Sequence, residues 1–126
     1  MALGSRTTES ASWHPDGKRI TLGGAFLSLF DPDTGTETRL TPTGRPKRFA
    51  TWAPDGRHVA YHTYEPSNDV YWLALKENSF ELTQGPSPLG GPRGPRSQPA
   101  VSPDGRWIAY RGTSEDGTGR LELFLA

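Results

Sequence analysis

Three near-identical phrases built on Pro-Asp-Gly recur along this chain, and that recurrence limits its possible folds more than any other feature. They are Trp13-His14-Pro15-Asp16-Gly17-Lys18-Arg19-Ile20, Trp52-Ala53-Pro54-Asp55-Gly56-Arg57-His58-Val59-Ala60-Tyr61 and Val101-Ser102-Pro103-Asp104-Gly105-Arg106-Trp107-Ile108-Ala109-Tyr110. Each phrase is suited to a tight turn. Proline presets φ near −65° at the second turn position, aspartate bonds backbone nearby, and glycine accepts the positive φ that closes a hairpin loop. Pro15, Asp16, Gly17, Pro54, Asp55, Gly56, Pro103, Asp104 and Gly105 are therefore expected to be structural turn residues. A lysine or arginine and a strand-like apolar run follow each glycine.

The aspartates stand at 16, 55 and 104, so the phrase recurs after 39 and then 49 residues. The first interval suits one four-stranded propeller blade of about 40–45 residues. The longer second interval has a visible source. Gly85-Pro86-Ser87-Pro88-Leu89-Gly90-Gly91-Pro92-Arg93-Gly94-Pro95-Arg96 lacks hydrophobic periodicity and reads as an irregular Pro/Gly-rich loop over 85–96.

Composition agrees with an all-β chain. Only 33% of the 126 residues are hydrophobic, while 15 are glycine and 12 proline, a balance that favours turns over helices. Lys+Arg and Asp+Glu are equal at 14 each. A zero net charge gives no electrostatic case for nucleic acid, where a basic stripe is the expected footprint. The absence of cysteine excludes disulfides and thiolate metal sites. No apolar stretch suits a signal peptide near Met1 or a membrane-spanning helix. As written, the chain is expected to be cytoplasmic and without membrane insertion; as a fragment, it would be periplasmic or secreted.

Each unit divides into strands A to D. In the middle unit they are expected at Arg48 to Ala53, His58 to Tyr64, Asp69 to Leu75 and Phe80 to Thr83. In the first, strand B is Arg19 to Leu22, strand C is Ala25 to Phe30 and strand D is Thr38 to Thr41. The third unit reaches strand C at Leu121 to Leu125. Eleven strands are expected, one fewer than three complete blades contain. The domain organisation is a single domain: blade 1 about 8–43, blade 2 about 44–85, the loop 85–96 and blade 3 about 97–126.

These units resemble the PD40 or TolB-like β-propeller repeat, which is WD40-like. The phrases above carry the resemblance, together with the aromatic strand Asp69-Val70-Tyr71-Trp72 and the closing pairs Leu40-Thr41 and Leu82-Thr83. The resemblance covers the chain from about Ser10 onward. The chain departs from the pattern in having His14 where serine is usual and almost no loop at Leu22-Gly23-Gly24-Ala25. It also departs in blade number, because closed propellers have about 4–8. Three resolutions exist: a fragment of a longer propeller, a homodimer completing a six-bladed ring, or a short open stack. In the dimer, Ala2 to Thr7 of a partner could supply the missing outer strand.

In a four-stranded meander the Pro-Asp-Gly turns share a face with the C–D turns at Asp31 to Gly35 and Lys76 to Ser79. The B–C and D–A loops occupy the opposite face, where binding residues concentrate in many folds. The candidate binding residues there are Arg45, Lys47, Tyr64, Glu65, Asn68, Asp69, Arg93, Arg96, Glu115 and Asp116, with Arg48 beside Lys47. The leading expectation is a non-enzymatic scaffold that binds a protein or peptide of unknown identity. One alternative is a fragment of a propeller attached to an enzyme domain, of the prolyl-oligopeptidase type. The other is a propeller that binds a small molecule or carbohydrate.

Other chemistry reads as structural. Asp31-x-Asp33-x-Gly35-x-Glu37 resembles the start of a calcium loop, but Pro32 and the following Leu40-Thr41 indicate a hairpin turn. His58 and His62 would share a strand face about 13 Å apart, too far to hold one ion. No Gly-x-Ser-x-Gly nucleophile motif or nucleotide-binding glycine motif is present. No catalytic residue, metal or cofactor is assigned. Trp13, Trp52, Trp72 and Trp107 are expected to fill gaps between blades, because Trp13, Trp52 and Val101 occupy one repeat position.

Overall fold

The computed structural model describes residue 8 and residues 10–42, 44, 46–63, 69–76, 79–89, 96–113 and 119–125, with backbone alone at 96, 97, 113 and 119–125. These residues form eleven strands: β1 (Ser10–Trp13), β2 (Ile20–Gly23), β3 (Ser28–Asp31), β4 (Thr36–Arg39), β5 (Lys47–Trp52), β6 (His58–Thr63), β7 (Asp69–Leu75), β8 (Leu82–Pro88), β9 (Arg96–Val101), β10 (Trp107–Thr113) and β11 (Gly119–Leu125). They build three antiparallel meanders in the orders β1-β2-β3-β4, β5-β6-β7-β8 and β9-β10-β11. The third blade has three strands among the described residues. No described helix is long and apolar enough to cross a membrane.

The first strands of the three blades lie side by side and are stitched by hydrogen bonds. Ser12 Oγ donates to the Ala50 carbonyl at 3.0 Å, and the Phe49 N–H donates to Ser10 Oγ at 3.1 Å. At the next junction the Val101 N–H donates to Thr51 Oγ1 at 3.1 Å. Ser12 and Thr51 occupy the same repeat position, so a hydroxyl at that position ties each of the first two blades to the next.

Two apolar seams lie between the blades. The first joins Leu27, Leu29 and Leu40 of blade 1 to Trp52, Val59, Tyr61, Leu73 and Leu75 of blade 2. Its side chains alternate along β5 and β6, as a strand buried on one face requires. The second is smaller, with Ala60, Val70 and Leu89 of blade 2 against Ile108 and Tyr110 of blade 3.

Three expectations are corrected. β8 continues through Gly85, Pro86, Ser87 and Pro88, and β9 begins at Arg96. Much of the expected irregular loop is therefore strand, while 90–95 fall outside the described residues. Prolines are tolerated there because β8 is the edge strand of its blade. The closing pair Leu82-Thr83 is consequently exposed, and Leu89 closes blade 2 instead. Leu89 is buried and its N–H donates to the Val70 carbonyl at 2.8 Å, as Leu40 N–H donates to Leu27. Finally, β3 starts at Ser28 rather than Ala25, so Gly24 to Leu27 form a real B–C loop. It is tied to the D–A connection by Gly44 N–H to the Ala25 carbonyl and Lys47 N–H to the Gly24 carbonyl. Thr41 completes the tie, its Oγ1 accepting the Leu27 N–H at 2.9 Å.

Candidate functional site: the blade junctions and their turns

The three Pro-Asp-Gly turns have one construction. The residue before each proline accepts the N–H of its turn glycine: Gly17 to His14, Gly56 to Ala53 and Gly105 to Ser102, at 2.9, 3.0 and 2.9 Å. The glycines have φ of 71°, 68° and 75°, the left-handed region that a side chain disfavours. Each aspartate Oδ1 accepts an N–H two residues on, from Lys18, Arg57 and Arg106, at 2.8, 2.8 and 3.0 Å.

These bonds set the charge of the carboxylates. Burial works to raise Asp16 and Asp55. It is outweighed by backbone N–H donors, with His14 beside Asp16 and His58 beside Asp55, and both lie below their ordinary range. Asp104 is lowered by the Ser102 hydroxyl and the Arg106 N–H. The turn at Asp31 follows the same principle, with Asp31 Oδ1 accepting the Asp33 N–H at 2.9 Å. Among the described residues no group of three or more His, Cys, Asp or Glu side chains could hold a metal ion.

The turns meet at the blade junctions, and the first junction is closed by His14. Its side chain is buried. Its ring lies 4.5 Å from the Trp52 ring, edge to face, and 5.8 Å from Phe80. His14 Nε2 stands 2.9 Å from the Gly56 carbonyl, which can only accept, so Nε2 carries the proton. Gly56 has no room for a side chain: a Cβ there would lie 2.8 Å from His14 Cε1. Trp52 is held from below as Nε1 donates to Thr21 Oγ1 at 2.7 Å.

At the second junction the same repeat positions hold Ala53 and Val101. Where an imidazole meets an indole at the first, a methyl meets an isopropyl here. Pro54 leans toward Gly105, whose added Cβ would lie 3.2 Å from the proline Cδ. The space is not filled, and a cleft of about 600 Å³ remains between blades 2 and 3. Val59, Ala60, Trp72, Leu89, Val101 and Ile108 form its apolar wall, while Asp55, His58, Gln84 and Asp104 supply polar groups. The sequence offered one signal for this cleft, the exchange of large for small residues at aligned positions, and the expectation of tryptophan packing passed over it.

The candidate residues of the loop face are placed differently. Lys47 opens β5, is 8% exposed and pairs with Thr63; Arg96 opens β9 and pairs with Gly112. Both are strand residues rather than loop residues, because the strands extend past their expected ends. Arg48 lies within β5, its guanidinium 5.2 Å from the Phe49 ring centre. Asp69 opens β7, half-buried. Arg45, Tyr64, Glu65, Asn68, Arg93, Glu115 and Asp116, like Ala2 to Thr7, lie outside the described residues.

The tryptophan expectation also divides. Trp52 is 8% exposed, but Trp13 is 62% and Trp107 is 38% exposed. Trp52 packs back onto the preceding blade, and among the described residues no blade stands against Trp13. The histidines divide too: His62 is buried, stacked 6.0 Å from Phe49, whereas His58 is exposed with Nδ1 2.7 Å from Asp55 Oδ2.

This arrangement of blades can be compared with known proteins. No family model matches the chain. An uncharacterized protein of Agrobacterium fabrum, Atu1656, is 27% identical over 108 residues, covering 84% of this chain and 33% of that protein. The structure of a protein described as TolB from Agrobacterium tumefaciens superposes with a TM-score of 0.69 at 20% identity, over 95% of this chain and 47% of the other. The fold is that of a TolB-like β-propeller. A chain of the Mitotic Checkpoint Complex superposes on 94% of this chain with a TM-score of 0.63 at 13% identity, over 35% of its own length. The likeness to these structures is one of fold. The chain spans less than half the length of each of these proteins.

Proposed function

We propose that this chain is a non-enzymatic scaffold that binds a protein or peptide through the B–C and D–A loops of a single propeller domain. The observation that carries the reading is the division of labour between the faces. On the Pro-Asp-Gly face each turn aspartate accepts an N–H of its own turn, which gives the turns a structural role. The B–C and D–A connections, which the meander order assigns to the opposite face, vary most in length and charge in the sequence, with Arg93 and Arg96 in or beside one and Glu65, Asp69, Glu115 and Asp116 in or beside the others. Rim charges of both signs favour a protein surface of complementary pattern and steer its approach. Affinity capture from the source cell should recover a partner with the chain, and reversing both charges in Arg93→Glu/Arg96→Glu should abolish recovery without lowering the melting temperature. Unchanged recovery would contradict the loop-face assignment.

One observation favours a second copy of this chain as a partner. Trp13 occupies the position that Trp52 buries against a preceding blade, yet it stands exposed. A third blade from another copy would cover it, and two sets of three blades would complete a six-bladed ring. Sedimentation equilibrium at micromolar concentration tests this pairing: a dimer that Trp13→Glu dissociates supports it, and a stable monomer refutes it.

A further inference from the structure

The cleft between blades 2 and 3 has the attributes of a ligand site distinct from the loop face. Its volume, about 600 Å³, lies within the range of roughly 300–1,000 Å³ that small-molecule sites occupy. It arises because Ala53 and Val101 stand where the first junction has His14 and Trp52. The first junction thus displays what the second can accommodate: a flat ring with an N–H, seated between the turn of one blade and an apolar wall of the next. The wall of the second junction retains a large aromatic surface of its own in Trp72, which is only partly buried.

The polar groups choose the charge of the occupant. Asp55 and Asp104 line the cleft from opposite blades, and the only basic side chain among its lining residues is His58. Asp55 Oδ1 is engaged by the Arg57 and His58 N–H groups while its Oδ2 stands 2.7 Å from His58 Nδ1, on the exposed side where a cation can compete for it, and Asp104 Oδ1 is engaged by the Ser102 hydroxyl and the Arg106 N–H. Those bonds favour the ionised form of both carboxylates. An aromatic ring covers the apolar wall, and a cation attached to it meets the two carboxylates.

We propose that the blade 2–blade 3 cleft binds a small aromatic amine, with its ring on the Trp72–Ile108 wall and its ammonium between Asp55 and Asp104. The His14 ring shows how the site can be closed. Ala53→His places an imidazole where the first junction has one, opposite Gly105 as His14 is opposite Gly56, and fills the entrance.

The test uses 2-phenylethylamine as probe, with 3-phenylpropionate as a partner of similar ring and opposite charge. Binding is followed by backbone amide shifts of the labelled chain. The expected result is saturable shifts confined to Ala53, Gly105, Ile108 and their neighbours, with the amine bound at least about tenfold more tightly than the acid. Ala53→His should abolish the shifts. Asp55→Asn/Asp104→Asn, which keeps the Oδ1 acceptors of both turns, should remove the preference for the amine even if Ala53→His does not fold. Absence of saturable shifts, equal binding of amine and acid, or shifts unaffected in a folded Ala53→His protein would each overturn the proposal.

Discussion

Individual residues in this chain take their importance from the blade next door. Trp52 and Trp13 share a repeat position and a sequence context, yet only Trp52 is covered. Trp52→Ala removes an indole in contact with His14 and a buried hydrogen bond to Thr21, and should cost roughly 3–5 kcal/mol in denaturant titration. Trp13→Ala should change stability by about 0.5 kcal/mol or less. The glycines give a parallel contrast. Gly17 and Gly56 both have positive φ, but an added Cβ meets nothing within 4 Å at Gly17 and the His14 ring at Gly56. Gly17→Ala should cost the left-handed penalty alone, roughly 1–2 kcal/mol. Gly56→Ala should cost measurably more, because the imidazole must move and loses its carbonyl partner. Equal costs would mean that His14 is not fixed by the junction.

At the scale of the element, the turn is the unit that sequence reports best. Proline, aspartate and glycine each act within five residues of chain, so their roles can be read without knowing what lies beyond. The same locality makes a pH prediction. Asp16 and Asp55 have folded pKa values below those of an unfolded chain, near about 3.9. Their contribution to stability is complete above that value and lost as pH falls through the folded pKa. Denaturation midpoints should therefore hold between pH 7 and about 5 and fall below about pH 4. Asp55→Asn should reduce the fall, since its turn no longer contains a carboxylate to protonate; an identical acid profile would contradict the assignment. Strand ends were less legible. Leu82-Thr83 imitates Leu40-Thr41 in sequence, but the register of β8 on β7 carries the edge strand on to Pro88 and gives the closing role to Leu89. Such a register depends on cross-strand pairing, which no local pattern encodes.

For the whole molecule, repeat spacing announced the three blades, while the quality of each junction was hidden in two positions. His14 looked like a departure within a turn because its partners Trp52, Gly56 and Phe80 lie 38 or more residues away. Read in pairs across neighbouring repeats, His14 with Trp52 and Ala53 with Val101, the same positions distinguish a closed seam from an open one. The two junctions among the described blades thus differ in how completely they are filled, and the proposed ligand site lies at the less filled one. The loop face is the least legible part, because its candidate residues are identified by charge and position in the meander alone.

One repeat position serves as a plug at the first junction, where it is His14, and as an opening at the second, where it is Ala53. Equilibrium urea denaturation of His14→Ala and Ala53→His tests that claim directly. His14→Ala should lose roughly 2–4 kcal/mol, from the emptied space beside Trp52 and the unpaired Gly56 carbonyl, while Ala53→His should lose nothing, since its ring enters space already open. Equal destabilisation by the two substitutions, or a greater loss in Ala53→His, would contradict the account.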